Sequence, residues 1–65
     1  MTNVEPKVSE MGRYTTKEVA ELLEVNVSTV RRHTEAGYLR CGHWRHNGRR
    51  FYTGKEILRY YKAQL

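Results

Sequence analysis

Arginine supplies most of the side-chain chemistry in this chain, and its spacing is uneven. Arg31-Arg32 follow Ser28-Thr29 in one short segment, and Arg45, Arg49 and Arg50 crowd a second, where His43 and His46 also lie. A guanidinium forms paired hydrogen bonds with a phosphate or with the edge of a guanine, and a hydroxyl bonds to either, so these residue types suit a polyanion that carries bases. Between Arg31 and Arg50 six Arg stand against the single Glu35, the electrostatic footprint of a nucleic-acid binder. Material for catalysis is thin. There is no carboxylate pair, no nucleophile beside a base and no Gly-rich phosphate loop, so an enzyme is not expected. Cys41, His43, His46 and His33 do not follow the paired C-x2-C or H-x3-H spacings of zinc sites, so neither a metal nor a cofactor is expected.

Two short amphipathic patterns must position the first arginine pair. Thr15-Thr16-Lys17-Glu18 reads as a capping box, in which the Thr15 hydroxyl accepts from the Glu18 N–H and the Glu18 carboxylate accepts from the Thr15 N–H. Val19, Leu22 and Leu23 then form a buried stripe, Lys17, Glu21 and Glu24 face water, and Ala20 leaves room for a crossing helix. Glu24 to Asn26 make the turn, with Val25 apolar and Asn26 as N-cap, its side-chain oxygen placed for the N–H of Ser28 or Thr29. The second helix is predicted from Val27 to about Ala36, ending at Gly37 in the left-handed position. Val30 faces the core, which turns Ser28, Arg31, Arg32 and Glu35 away from the first helix, as on a recognition helix entering a major groove.

After Gly37 the period changes to that of strands. Asn47-Gly48 signals a two-residue type I′ hairpin, which pairs His46 with Arg49, Arg45 with Arg50, Trp44 with Phe51 and His43 with Tyr52. Trp44 and Phe51 then form an aromatic pair on one face, and the arginines gather near the tip, where they repel one another unless an anion is close. In that register His43 and His46 face opposite sides. A third helix begins with a second capping box, Thr53-Gly54-Lys55-Glu56, and its apolar positions are Ile57, Leu58, Tyr61 and Leu65. Gly54 in its first turn lowers helix propensity by roughly 1 kcal/mol against Ala. Trp44, Tyr60 and Tyr61 also offer a docking face for a partner protein, although core packing is the better reading for Trp44 and Tyr61.

At 65 residues with a single Cys, the chain supports one modest core and no disulfide, and the lone thiol suits a reducing, cytoplasmic setting. No apolar run approaches the ~20 residues of a membrane span, and the N-terminus lacks signal-peptide features. The formal charge is +5; one Lys and two Glu leave residues 1–12 at −1, so residues 13–65 carry +6. Residues 1–12, with Pro6, Ser9 and few apolar side chains, read as a flexible N-terminal tail ahead of a domain over 13–65.

Helix-turn-helix, two-stranded wing and further helix, in that order, resemble the MerR-like winged helix-turn-helix group, and within it the small excisionases, or recombination directionality factors, of phages and mobile elements. The resemblance runs from Tyr14 to about Lys62, through Tyr14 to Leu23, Val25 to Arg32, and Gly48-Arg49-Arg50-Phe51-Tyr52 leading into Glu56-Ile57. It implies a mainly α fold of three helices and a two-stranded antiparallel wing. It also implies a second helix in the major groove, through Ser28, Thr29, Arg31 and Arg32, and a wing on the adjacent minor groove or backbone, through Arg45, Arg49 and Arg50. Thr16, Lys17 and His46 complete the candidate DNA-contacting set.

The sequence departs from the group at two points. Glu24 stands where many such turns have Gly, at a cost of about 1–2 kcal/mol if it is left-handed. Phe51 replaces an Arg frequent in relatives, which moves that wing position toward core packing. The function implied is loading on tandem sites of double-stranded DNA with self-association, DNA bending and direction of an integrase toward excision. The chain ends at Leu65 with neither the long dimerising helix nor the effector domain of full-length MerR regulators; with no heptad pattern for a stable dimer, a free monomer is expected, with neighbours meeting through the wing edge or through Arg59, Tyr60 and Lys62. A small standalone transcriptional regulator of the BldC type is the second reading.

Overall fold

The computed structural model describes residues 4–64. Its elements are β1 (Arg13–Tyr14), α1 (Thr16–Leu23), α2 (Val27–Glu35), β2 (Gly42–His43), β3 (Arg50–Thr53) and α3 (Gly54–Ala63). Helices of 8, 9 and 10 residues are too short to hold in water alone, so caps and packing maintain them.

The caps of α1 are as read. Thr15 Oγ1 accepts from the Glu18 N–H at 3.1 Å, and Glu18 Oε1 accepts from the Thr15 N–H at 3.0 Å. At its other end Glu24 is left-handed, with φ 56° and ψ 46°. The Glu24 N–H donates to the Glu21 carbonyl and the Val25 N–H to the Ala20 carbonyl, the two bonds of a Schellman motif built on a glutamate where glycine is usual. Asn26 caps α2 differently from expectation: its side chain makes no cap bond, and its backbone carbonyl accepts from Thr29 and Val30 instead. The Asn26 side chain is exposed. A second Schellman pair, Gly37 N–H to Thr34 and Tyr38 N–H to His33, closes α2, with Gly37 at φ 88°.

The core joins Val19, Ala20 and Leu23 of α1, Val30 of α2, Leu39, Tyr52 of β3, and Ile57, Tyr60 and Tyr61 of α3. Polar bonds place α2 against it. Thr34 Oγ1 donates to the Val30 carbonyl at 2.8 Å, which leaves the Tyr52 hydroxyl as donor to Thr34 Oγ1, also at 2.8 Å. On the same helix His33 Nδ1 is hydrogen-bonded to the Tyr60 hydroxyl. Burial raises the Tyr60 phenol above its ordinary value of 10.0, so it remains protonated. Tyr60 is 3% exposed, which corrects its place on an outward docking or neighbour-contact face: it lies inside with Tyr61.

The sheet has three antiparallel strands in the order β1-β3-β2, one more than the expected two-stranded wing. The added strand, β1, pairs Arg13 with Thr53 and Tyr14 with Tyr52. The hairpin register also differs from the type I′ prediction, since Gly42 opposes Phe51 and His43 opposes Arg50. Asn47 causes the change. Its Oδ1 accepts from the Arg49 N–H at 2.9 Å, a side-chain turn that leaves only Gly48 at positive φ and widens the loop to residues 45–48.

Within the segment expected to be a flexible tail, residues 6–12 form a strap along the domain; residues 1–3 and Leu65 lie outside the described residues. Pro6 is buried and Val8 packs on the core. The Gly12 and Glu10 carbonyls accept from the N–H groups of Gly54 and Lys55 at 3.0 and 3.3 Å, satisfying two orphan donors of α3. Gly54 is therefore a place of close approach as well as a weak helix former, because a Cβ there would penetrate the Ser9 carbonyl. The expected second capping box is half formed. Thr53 Oγ1 accepts from the Glu56 N–H, while the Glu56 carboxylate turns forward to pair with Arg59 at 2.8 Å.

Two substitutions of opposite sign follow from these backbones. Glu24→Gly relieves a left-handed residue at about 1–2 kcal/mol and loses about 0.5–1 kcal/mol to chain entropy. A net gain of about 0.5–1 kcal/mol should raise the melting temperature by several degrees; no rise would mean that the turn stores no strain. Gly54→Ala should lower stability by about 1–3 kcal/mol and speed tryptic cleavage at Lys7 as the strap lifts, in a melt followed by limited proteolysis.

Candidate nucleic-acid interface

The start of α1, one side of α2 and the wing enclose an open cleft of about 760 Å³. Of the ten candidate contact residues, Thr16, Lys17, Arg31, His46, Arg49 and Arg50 line it. Ser28 and Arg32 are exposed on α2 outside the cleft, Thr29 is half-buried, and Arg45 is exposed in the wing loop. Thr15, Glu35, Trp44 and Asn47 also line the cleft and were not among the ten.

The electrostatics of the cleft follow from its walls. Lys17, Arg31, Arg49 and Arg50 bring four positive charges against the one carboxylate of Glu35. Among the described residues the ion pair is Glu56–Arg59 on α3, so none of these four cations has a carboxylate within salt-bridge distance. The N-terminal end of α1 adds partial positive charge at the same place. Its Thr16 and Lys17 N–H groups lie ahead of the first intrahelical bond, and a helix N-terminus of this kind favours an anion. The arrangement can hold phosphates on the cleft walls while the start of α2, at Ser28, remains free for base edges.

The wing is stiffened by its loop and by its aromatic face. The Trp44 N–H donates to the Arg49 carbonyl at 2.8 Å and the Gly48 N–H to the Trp44 carbonyl at 2.7 Å. Compared with the type I′ pairing, the register is displaced by two residues in total, and an even displacement keeps side chains on their faces. Trp44 and Phe51 thus still meet, now as a diagonal pair with ring centroids 4.8 Å apart. Arg45 and His46 leave the strands for the loop. Phe51 does not enter the core: it is half-buried on the outer face, directly over Gly42, where a Cβ would come within 2.5 Å of its ring.

The histidines and the cysteine are dispersed. His33 is bonded to Tyr60, His46 lies beside Asn47 and Trp44, and no group of three metal-ligating side chains converges among the described residues. No helix among them is long and apolar enough to cross a membrane.

A family model described as a helix-turn-helix domain matches residues 13–65, beginning at the first residue of β1. Comparisons with curated proteins and with solved structures return no significant match. Capped helix pair, left-handed turn, wing and family match agree: the chain belongs to the helix-turn-helix domain family, a DNA-binding family.

Proposed function

We propose that the protein is an excisionase, a DNA-binding architectural factor that loads cooperatively on tandem sites, bends the duplex and directs an integrase toward excision. The observation that carries the DNA-binding part is the convergence of Lys17, Arg31, Arg49 and Arg50 on one cleft beside the start of α2. In this reading α2 enters the major groove. Ser28, Thr29 and the Arg31-Arg32 pair supply base and phosphate contacts, and the wing residues Arg45, His46, Arg49 and Arg50 track the backbone, with Thr16 and Lys17 on a flanking phosphate.

The excisionase part rests on the resemblance in motif order and on interface size. One helix of this length reads only a few base pairs, and a single module buries a modest interface, so useful affinity comes from neighbours on adjacent sites and from DNA bent to meet them. Tyr60 is internal, which leaves Arg59, Lys62 and the wing edge as the neighbour-facing groups.

Three binding measurements test this function. Replacing Arg49 or Arg50 by Ala should weaken binding on all sequences alike and flatten the salt dependence by roughly one unit of slope. Replacing whichever of Arg31 and Arg32 reads a guanine should cost about 1–3 kcal/mol on the cognate site and far less on random DNA. For the architectural role, gel shifts on one-site and multi-site duplexes should show steeper, tighter loading on the tandem array by a protein that sediments as a monomer. A stable dimer without DNA, or equal per-site affinity on both duplexes, would favour a conventional dimeric regulator.

A further inference from the structure

The outer face of the wing sheet carries a cation that neither the core nor the cleft explains. Arg13 of β1 reaches across β3, so that its guanidinium carbon lies 4.9 Å from the Trp44 ring and 5.0 Å from the Phe51 ring. Those two rings are 4.8 Å apart, and the three groups form a nearly equilateral triangle with the cation over the seam. Gly42 makes the seat possible, since a side chain there would displace the Phe51 ring. Among the described residues the guanidinium has neither a hydrogen bond nor an ion pair. An arginine stacked in this way keeps its N–H donors available, and its rotamer freedom is already reduced before any ligand arrives. Trp44 joins this seat to the cleft, because the same side chain lines the cleft wall beside Arg49.

We propose that Arg13 is a DNA-phosphate contact, held ready by Trp44 and Phe51, which extends the interface from the cleft onto the outer face of the wing sheet. The inference rests on the DNA-binding reading of the cleft and adds a phosphate beyond those reached by Arg49 and Arg50. Arg13 belongs to β1, outside the helix pair and the hairpin that carry the other contacts. Its role separates into charge and stacking, so the two are distinguishable by substitution.

Anisotropy titrations of a labelled duplex over a series of salt concentrations, with the wild type, Arg13→Gln, Arg13→Lys and Arg49→Ala, test it. Gln keeps a planar side chain on the rings without charge, and Lys keeps the charge without the planar fork. Arg13→Gln should bind several-fold more weakly, with a slope of log K against log salt shallower by about 0.9. Arg13→Lys should recover the wild-type slope at intermediate affinity. Thermal melts of the same variants identify a purely bracing role: a lower melting temperature with an unchanged salt slope would overturn the proposal. If Arg49→Ala flattens the slope and Arg13→Gln does not, Arg13 is no phosphate contact and the cleft reading stands. Salt-independent or absent binding by the wild type would overturn both.

Discussion

The buried hydroxyl of Tyr52 holds the fold in register. Tyr52 is fully buried in the central strand β3, and it donates to Thr34, whose own hydroxyl is committed to the Val30 carbonyl. A phenol taken out of water without a partner costs about 1–3 kcal/mol, so α2 must present Thr34 at one position and angle. The same strand distributes four different tasks over consecutive residues. Arg50 reaches the cleft, Phe51 the outer aromatic face, Tyr52 the core, and Thr53 the N-cap of α3. Strand alternation separates the inner from the outer tasks, and the antiparallel pairing with β1 brings Arg13 and Tyr14 to the corresponding sides.

The cleft is the electrostatic counterpart of that rigid frame. Four cations and a helix N-terminus share one concavity with a single carboxylate, an arrangement that is self-repelling in the free protein and relieved by a polyanion. The cleft walls come from three segments distant in sequence, and each is fixed by contacts that do not use the charged side chains of the cleft. α1 is capped at Thr15, α2 is tethered through Thr34 and His33, and the wing is braced by its loop and by Trp44 on Phe51. The charged side chains are thus free of structural duty and available to a ligand.

Local chemistry made much of this legible in the sequence. The capping box at Thr15, the left-handed strain at Glu24, the end of α2 at Gly37 and the burial of Val30 each depend on a few adjacent residues, and each is present. Six of the ten candidate contacts line one cleft: Thr16 and Lys17 at the capped start of α1, Arg31 by its phase on α2, and His46, Arg49 and Arg50 on the wing. What escaped were contacts between distant segments. A two-residue strand such as β1 has no periodicity to detect, and the docking of residues 8–12 on α3 shows in sequence only as the misplaced Gly54. The backbone preference of Asn-Gly predicts a two-residue turn, whereas the Asn47 side chain accepts from the Arg49 N–H and shapes a longer loop. Tyr60 looked external because its partner, His33, lies 27 residues away.

The central claim is that the cleft between α1, α2 and the wing is the DNA-binding surface. Amide and indole chemical-shift mapping of the isotope-labelled protein, titrated with duplex DNA, tests it most directly. The account predicts that the largest shifts cluster at Thr16 and Lys17, along Ser28 to Arg32, and over Trp44 to Arg50, while α3 from Ile57 onward is little changed. Largest shifts on α3, with the cleft unaffected, would contradict it.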